Sequence, residues 1–343
     1  MSRHQSGTAL AGVLVVDKPT GSTSHAVVQQ VRRALGIRRV GHAGTLDPLA
    51  SGVLVVMVGE ATKLAPFLTA EDKSYAAVVR LGAATSTLDA EGEITEQGSM
   101  PHWLLQPEER EARIARALEL ERGRTSQSPP LHSAIKIHGR AAYALARAGE
   151  PFALSPRPVK VHELRWEALN LEPAEPPAQD TGRQVPGYAD LELVLTVGKG
   201  YYVRSLARDL GGHLGVPAHL HALRRLRSGP FDLAHAVSIG ADAAELCARL
   251  IELGEAARST LPAATLHEQG TARAAVGKPV SSGDFTLPPC AGSPSAWFDA
   301  SGRLVAVGLL GDDGQGRVLR GFCAQAQLAI PAQSSVAPPG RAR

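Results

Sequence analysis

The 343-residue chain lacks the marks of several protein classes. No apolar run approaches the ~18 residues of a membrane-spanning helix. The N-terminus has no charged-then-apolar signal pattern, so neither secretion nor membrane insertion is expected. Cysteine is scarce. Cys247, Cys290 and Cys323 lie far apart and are odd in number, which gives neither a disulfide framework nor a metal-ligand spacing and points to a reducing cytoplasm. The histidines add no metal set, so no metal is expected. An excess of one charge is missing too: 36 Lys and Arg against 33 Asp and Glu leave +3, so any basic surface must come from local clustering. Aromatic residues make up only 4%, too few for broad stacking platforms. There are no internal repeats, and no low-complexity tract beyond loops rich in Pro and Ala.

What is present is enough for a real core. Hydrophobic residues make up 44%, and the length suits two domains, or one large domain with an appendage. Residues 13–16 and 53–58 are continuous apolar runs, as in strands buried on both faces. Ser22, Thr23 and Ser24 offer caps for a helix with Val27, Val28, Val31 and Leu35 on one face. Beyond it Arg32, Arg33, Arg38 and Arg39 form a basic cluster, either a solvated helix end or a footprint for phosphates.

A short helix is expected over 61–68. Tyr75, Ala77, Val79 and Leu81 alternate in a strand over 74–81. Residues 108–122 read as a charged helix with Ile114, Ala117, Leu118 and Glu121 along a narrow stripe. Residues 159–171 and 190–197 alternate like strands around a loop at 172–187, and 203–214 reads as a helix closed at Gly215. Strands that return this often predict an α+β fold with a mixed, mostly antiparallel sheet. Residues 223–229 form a basic segment closing the domain, 241–257 a helix around Leu246, Leu250 and Leu253, and 294–299 and 304–310 short strands.

The chain is organised around Gly41-His42-Ala43-Gly44-Thr45-Leu46-Asp47-Pro48-Leu49-Ala50-Ser51-Gly52. Glycines allow unusual backbone angles and close approach, and Pro48 pushes Asp47 toward an extended conformation. Asp-Pro alone is most often a surface turn. A phosphate-cradling loop is disfavoured, because no Gly-x-x-x-x-Gly-Lys-Ser/Thr occurs here and no helix pattern follows. The third possibility is a carboxylate nucleophile or base, and the loop alone does not choose among the three.

The loop resembles the catalytic motif of the TruB-type tRNA pseudouridine-55 synthases. Further blocks appear in the family's order: Gly12-Val13-Leu14-Val15-Val16-Asp17-Lys18-Pro19, Gly59-Glu60-Ala61-Thr62-Lys63, Asp72-Lys73-Ser74-Tyr75, Gly198-Lys199-Gly200-Tyr201-Tyr202-Val203-Arg204 and Leu223-Arg224-Arg225-Leu226. Together they cover roughly residues 10–230. The resemblance implies a pseudouridine synthase catalytic domain over 11–235 with flanking helices. A thumb-like insertion at about 123–157 would clasp the RNA stem-loop, with His132 where the family usually has Tyr. A flexible N-terminus (1–10), a connecting helix (236–258), a small PUA-like β domain that binds RNA (259–330) and a disordered tail (331–343) complete the expected organisation.

The implied reaction isomerises uridine in the T-arm of tRNA and needs no cofactor. The resemblance makes Asp47 the nucleophile. Arg204 would be its partner, its fork keeping the carboxylate ionised with a pKa lowered by ~1–3 units. Tyr75 would stack on the target base, with its phenol a candidate proton acceptor. Tyr202 and Leu223 match positions lining the uracil pocket, and His42 the residue filling the space of an extracted nucleotide. Lys18 would direct positive charge toward the RNA backbone. A monomer without an obligatory protein partner is expected. Two other readings compete: an RNA-binding or RNA-folding module with dispensable catalysis, and an Asp-dependent glycosyl hydrolase, which expects two opposed carboxylates where the loop offers one.

Overall fold

The computed structural model describes residues 10–133, 135–137, 139–173 and 186–323. The expected loose N-terminus, the middle of the 172–187 loop and the 331–343 tail lie outside them, apart from Leu10. The first two apolar runs form the antiparallel strands Gly12–Lys18 and Ser51–Val58. Leu14, Val16, Leu54 and Val56 point into one core and Val13, Val15, Val53 and Val55 into another, which is why both strands are apolar at every position. Across the main sheet the order is Val161–Pro173, Pro186–Val197, Lys73–Leu81, Ala218–Ser228, Ser51–Val58, Gly12–Lys18, Ala236–Ser238. Two pairings along this order are parallel, Ala218–Ser228 with Ser51–Val58 and Gly12–Lys18 with Ala236–Ser238; the others are antiparallel. The fold is therefore α+β with a mixed, mostly antiparallel sheet.

Three helices close one face. Ser24–Leu35 buries Val27, Val28 and Val31; its cap is Thr23, whose hydroxyl accepts from Ala26 N at 3.0 Å, and it ends at Gly36 in the left-handed region. Pro107–Arg122 buries Ile114, Ala117, Leu118 and Glu121, and Val203–Leu214 buries Leu206, Ala207 and Leu210 and ends at Gly215. Glu121 is an acid within an apolar stripe. It is tied to Arg124 Nε at 2.8 Å and His213 Nε2 at 3.0 Å, as a buried carboxylate must be.

Residues 223–229 differ from the expectation of a closing basic segment. Residues 223–228 belong to the inner strand Ala218–Ser228, between Lys73–Leu81 and Ser51–Val58. Arg225 is almost fully buried there, with Nε donating to Val53 O at 2.7 Å and Nη2 to Gly44 O at 3.0 Å. Gly52 permits the crossing: its φ is +98°, and a Cβ would lie 2.2 Å from Arg225 O.

The single helix expected over 241–257 is two, Ala243–Ala248 and Leu253–Thr260. Asp242 caps the first, accepting from Glu245 N at 2.8 Å. Between them Ile251–Glu252 pairs with Gly12 and Val13, so a sheet ladder displaces one helical turn. The segment expected as a connecting helix thus contributes Ala236–Ser238 and Ile251–Glu252 to the main sheet.

The C-terminal region forms a six-stranded sheet in the order Val280–Ser281, Gln315–Gly321, Leu304–Leu310, Pro294–Phe298, Ala263–Leu266, Phe285–Leu287. Trp297 is its centre, edge-on to Phe285 with ring centroids 5.3 Å apart. Phe298, Leu304, Val307 and Phe322 share a core with Val13, Val15 and Leu64, so the two sheets are joined by apolar burial. Lys63 adds a polar tie, donating to Gly321 O at 2.7 Å, while Glu60 pairs with both Lys63 and Arg39.

Candidate active site

The Asp47 loop is pinned on both sides of the carboxylate. Before it, Ser24 Oγ bonds both the carbonyl of Leu46 at 3.0 Å and its amide at 2.9 Å. After it, the carbonyl of Pro48 accepts from Gly21 N at 2.8 Å and Lys18 Nζ at 3.3 Å, and Ala50 N closes a turn onto Asp47 O at 3.0 Å. Ser24 opens the first helix, so the loop is fixed to both helix and sheet.

Arg204 reaches this loop from the start of the Val203–Leu214 helix. Its Nε lies 2.9 Å from Asp47 Oδ2 and its Nη2 3.2 Å from Oδ1, a two-pronged grip. The same guanidinium donates to His132 O at 2.9 Å and Thr87 O at 3.2 Å, and Nη1 lies 3.5 Å from Asp89 Oδ2. The Arg204 side chain is 7% exposed and that of Asp47 35%, so the arginine is buried while the carboxylate faces an opening. That opening is a cavity of about 550 Å³ bordered by Asp47, Tyr75, His132, Tyr202 and Arg204. Gln127 holds Tyr202 by both backbone groups, at 2.9 Å to its amide and 3.1 Å to its carbonyl.

The charge state departs from the expectation. Burial pushes the Asp47 carboxyl above the ordinary Asp range; Arg204 pulls it back without reversing the shift, and Asp89 adds to the rise. Desolvation outweighs the guanidinium because the loop is packed beneath the opening. Glu91, on the same wall, is raised by burial and by Asp89 and Asp47. Burial also raises the Tyr202 phenol, which stays a hydrogen-bond donor at neutral pH.

Asp47, Arg204, Tyr75 and Tyr202 are thus brought to one cavity. Lys18 is not. It is fully buried, and its ammonium donates to the carbonyls of Pro19 at 2.9 Å, Ser22 at 2.7 Å and Pro48 at 3.3 Å. With three donors on three carbonyls it props the loop from beneath instead of reaching toward RNA. His42 stands on Val40–Ala43, opposite Val56 and outside the cavity wall; its buried Nδ1 has no partner, and burial lowers its pKa. Leu223 lies opposite Ala77 and borders a separate recess of about 300 Å³.

Sequence reasoning missed several wall residues. Asp89 and Glu91 lay in a stretch read only as acidic and turn-rich. Lys73 and Arg225 sat within matched blocks, but nothing in one dimension places them on this wall. His132, which departs from the family's usual Tyr, lines the cavity and contributes its carbonyl to Arg204, a role indifferent to the side chain. No cluster of three or more metal-ligating side chains occurs among the described residues.

The fold is that of the pseudouridine synthases. A solved Cbf5–Nop10–Gar1 complex superposes with a TM-score of 0.64 at 24% identity, over 92% of this chain and 85% of that one. An H/ACA RNP bound to a substrate RNA containing 2′-deoxyuridine gives 0.63 at 23%, over 93% and 87%. Likeness at this identity speaks for architecture alone. Sequence resolves the family. The profile "TruB family pseudouridylate synthase (N terminal domain)" matches residues 32–203, and "tRNA pseudouridylate synthase B C-terminal domain" matches 204–246. The tRNA pseudouridine synthase B of Nocardia farcinica is 47% identical over 253 residues, 74% of this chain and 76% of that protein. That of Cutibacterium acnes is 42% identical over 318 residues, 91% and 98%. The chain belongs to the TruB family of pseudouridylate synthases.

Proposed function

We propose that the protein isomerises uridine-55 in the T-loop of tRNA to pseudouridine, with Asp47 as the nucleophile. The observation that carries this reading is the grip of Arg204 on both oxygens of Asp47, at 2.9 and 3.2 Å, at a cavity that Tyr75 also walls. The reaction breaks the N1–C1′ bond, turns the base, and forms a C5–C1′ bond. The proton on C5 leaves and N1 gains one, so atoms and electrons balance without an oxidant, nucleotide or metal. Asp47 supplies the carboxylate, which Arg204 keeps oriented and ionised against burial. Tyr75 stacks on the extracted base, a contact worth ~1–3 kcal/mol, which offsets part of the few kcal/mol lost on leaving the stack.

The 123–157 segment and the C-terminal sheet hold the T-arm, the latter as a PUA-like RNA-binding domain. The relatives' names carry tRNA as the substrate. The protein works as a monomer in the cytoplasm, a setting that suits free cysteines, two of them exposed. The test is tritium release from C5-labelled unmodified tRNA, with the modified position mapped. Wild type releases tritium at position 55. Asp47→Asn abolishes release while tRNA affinity stays within about tenfold, ~1.4 kcal/mol. Near-full turnover by Asp47→Asn removes the nucleophile assignment.

A further inference from the structure

The cavity wall carries two buried cations that the reaction as described does not use. Lys73 opens the strand Lys73–Leu81 and is 9% exposed; Arg225, at 1%, lies on the neighbouring strand and pairs in register with Tyr75. Both line the Asp47 cavity. Lys73 Nζ donates to Glu71 O at 2.6 Å and Thr69 O at 3.2 Å, which leaves one of its three donors unspent. Arg225 spends Nε and Nη2 on Val53 O and Gly44 O. Its Nη1 turns toward Gly44, where a Cβ would come within 3.6 Å of Nη1 and 3.3 Å of Lys73 Cε. Gly44 has a φ of +82°, so a glycine both makes the bend and leaves this space open.

Neither cation makes an ion pair among the described residues. Asp47 and Asp89 are turned to Arg204, and Asp72 to His162 Nε2 at 3.1 Å. Two buried positive charges held by carbonyls and by no direct ion pair repel each other, which favours an incoming anion. The strain shows in Lys73, whose pKa falls to about 8 through burial and the nearby Arg225, against the pull of Glu71 and Asp72.

We propose that Lys73 and Arg225, across Gly44, seat a phosphodiester of the substrate RNA at or beside the extracted nucleotide. This rests on the reading of the cavity as the site of base isomerisation. Phosphate is the anion an RNA strand brings, and the register pairing of Arg225 with Tyr75 puts the seat one strand from the residue under the base. The seat fixes the sugar–phosphate so that C1′ stays over Asp47 while the freed base turns.

The test uses an RNA hairpin carrying a neutral methylphosphonate at one linkage at a time on either side of the target uridine. Affinity and turnover are measured separately for wild type, Lys73→Met and Lys73→Arg. At one linkage the neutral group weakens wild-type binding about tenfold, the scale of a charge-assisted hydrogen bond. The same replacement has no effect in Lys73→Met, and Lys73→Arg restores the sensitivity. A purely structural lysine leaves the methylphosphonate penalty equal in all three proteins. That result, or the absence of any sensitive linkage, overturns the proposal. Binding that shows the coupling while the unmodified hairpin is never isomerised sinks the catalytic reading and leaves the phosphate seat standing.

Discussion

Arg204→Met removes the charge beside Asp47 and keeps most of the side chain's bulk. In the native protein the guanidinium lies 2.9 and 3.2 Å from the two carboxylate oxygens, and burial already holds Asp47 above an ordinary aspartate. An adjacent opposite charge typically lowers a carboxyl pKa by ~1–3 units. Losing it raises Asp47 further, because Arg204 is the largest influence holding its pKa down. Asp89, freed of Arg204, pushes in the same direction. The sign is fixed: a raised pKa protonates the nucleophile at higher pH, so the acid limb of the rate profile moves to higher pH. Turnover at the plateau also falls by ~10²-fold or more, because the fork that orients the carboxylate is gone.

The carbonyls of Thr87 and His132 each lose a donor, at ~1 kcal/mol apiece, which a domain stable by ~5–15 kcal/mol survives. The assay is single-turnover tritium release from acidic to alkaline pH, with thermal melting as the folding control. A plateau that drops while the acid limb stays in place refutes the electrostatic coupling. A variant with near-native turnover refutes the role of Arg204 altogether.

Three further outcomes are expected. Tyr75→Leu loses turnover far more than tRNA affinity in the same assay; equal losses reduce Tyr75 to a docking residue. Of the basic cluster, Arg39 is paired with Glu60 and Arg32 donates to Val40 O, whereas Arg33 and Arg38 are exposed and pair with no acid among the described residues. Replacing these two by Glu therefore lowers the slope of log affinity against log salt by about one per lost phosphate contact, and an unchanged slope places them off the RNA. Gly44→Ala puts a methyl in the left-handed region against Lys73 and Arg225, and is expected to destabilise the fold by ~1–2 kcal/mol in denaturant melts; an unchanged midpoint shows that the bend adapts.

Much of this molecule was legible in one dimension, because its local signals are strong. The runs at 13–16 and 53–58 had to be two-faced strands, the alternation from Tyr75 to Leu81 a one-faced strand, and the Val203–Leu214 helix had to stop at Gly215. The ordered motif blocks brought Asp47, Tyr75, Tyr202 and Arg204 forward as one set. Tertiary structure decided what depends on surroundings. Lys18 read as a charge directed toward RNA and Arg225 as part of a closing basic segment, yet backbone carbonyls from distant segments satisfy them in the interior. Residues 241–257 carry a helical pattern, but the open edge of the Gly12–Lys18 strand takes Ile251 and Glu252. The ionisation of Asp47 turned on desolvation, a property of the packed loop and not of its residues. Sequence order fixes which groups are available; only the closed sheet fixes which of them lose their water, and that loss sets their charge and their partners.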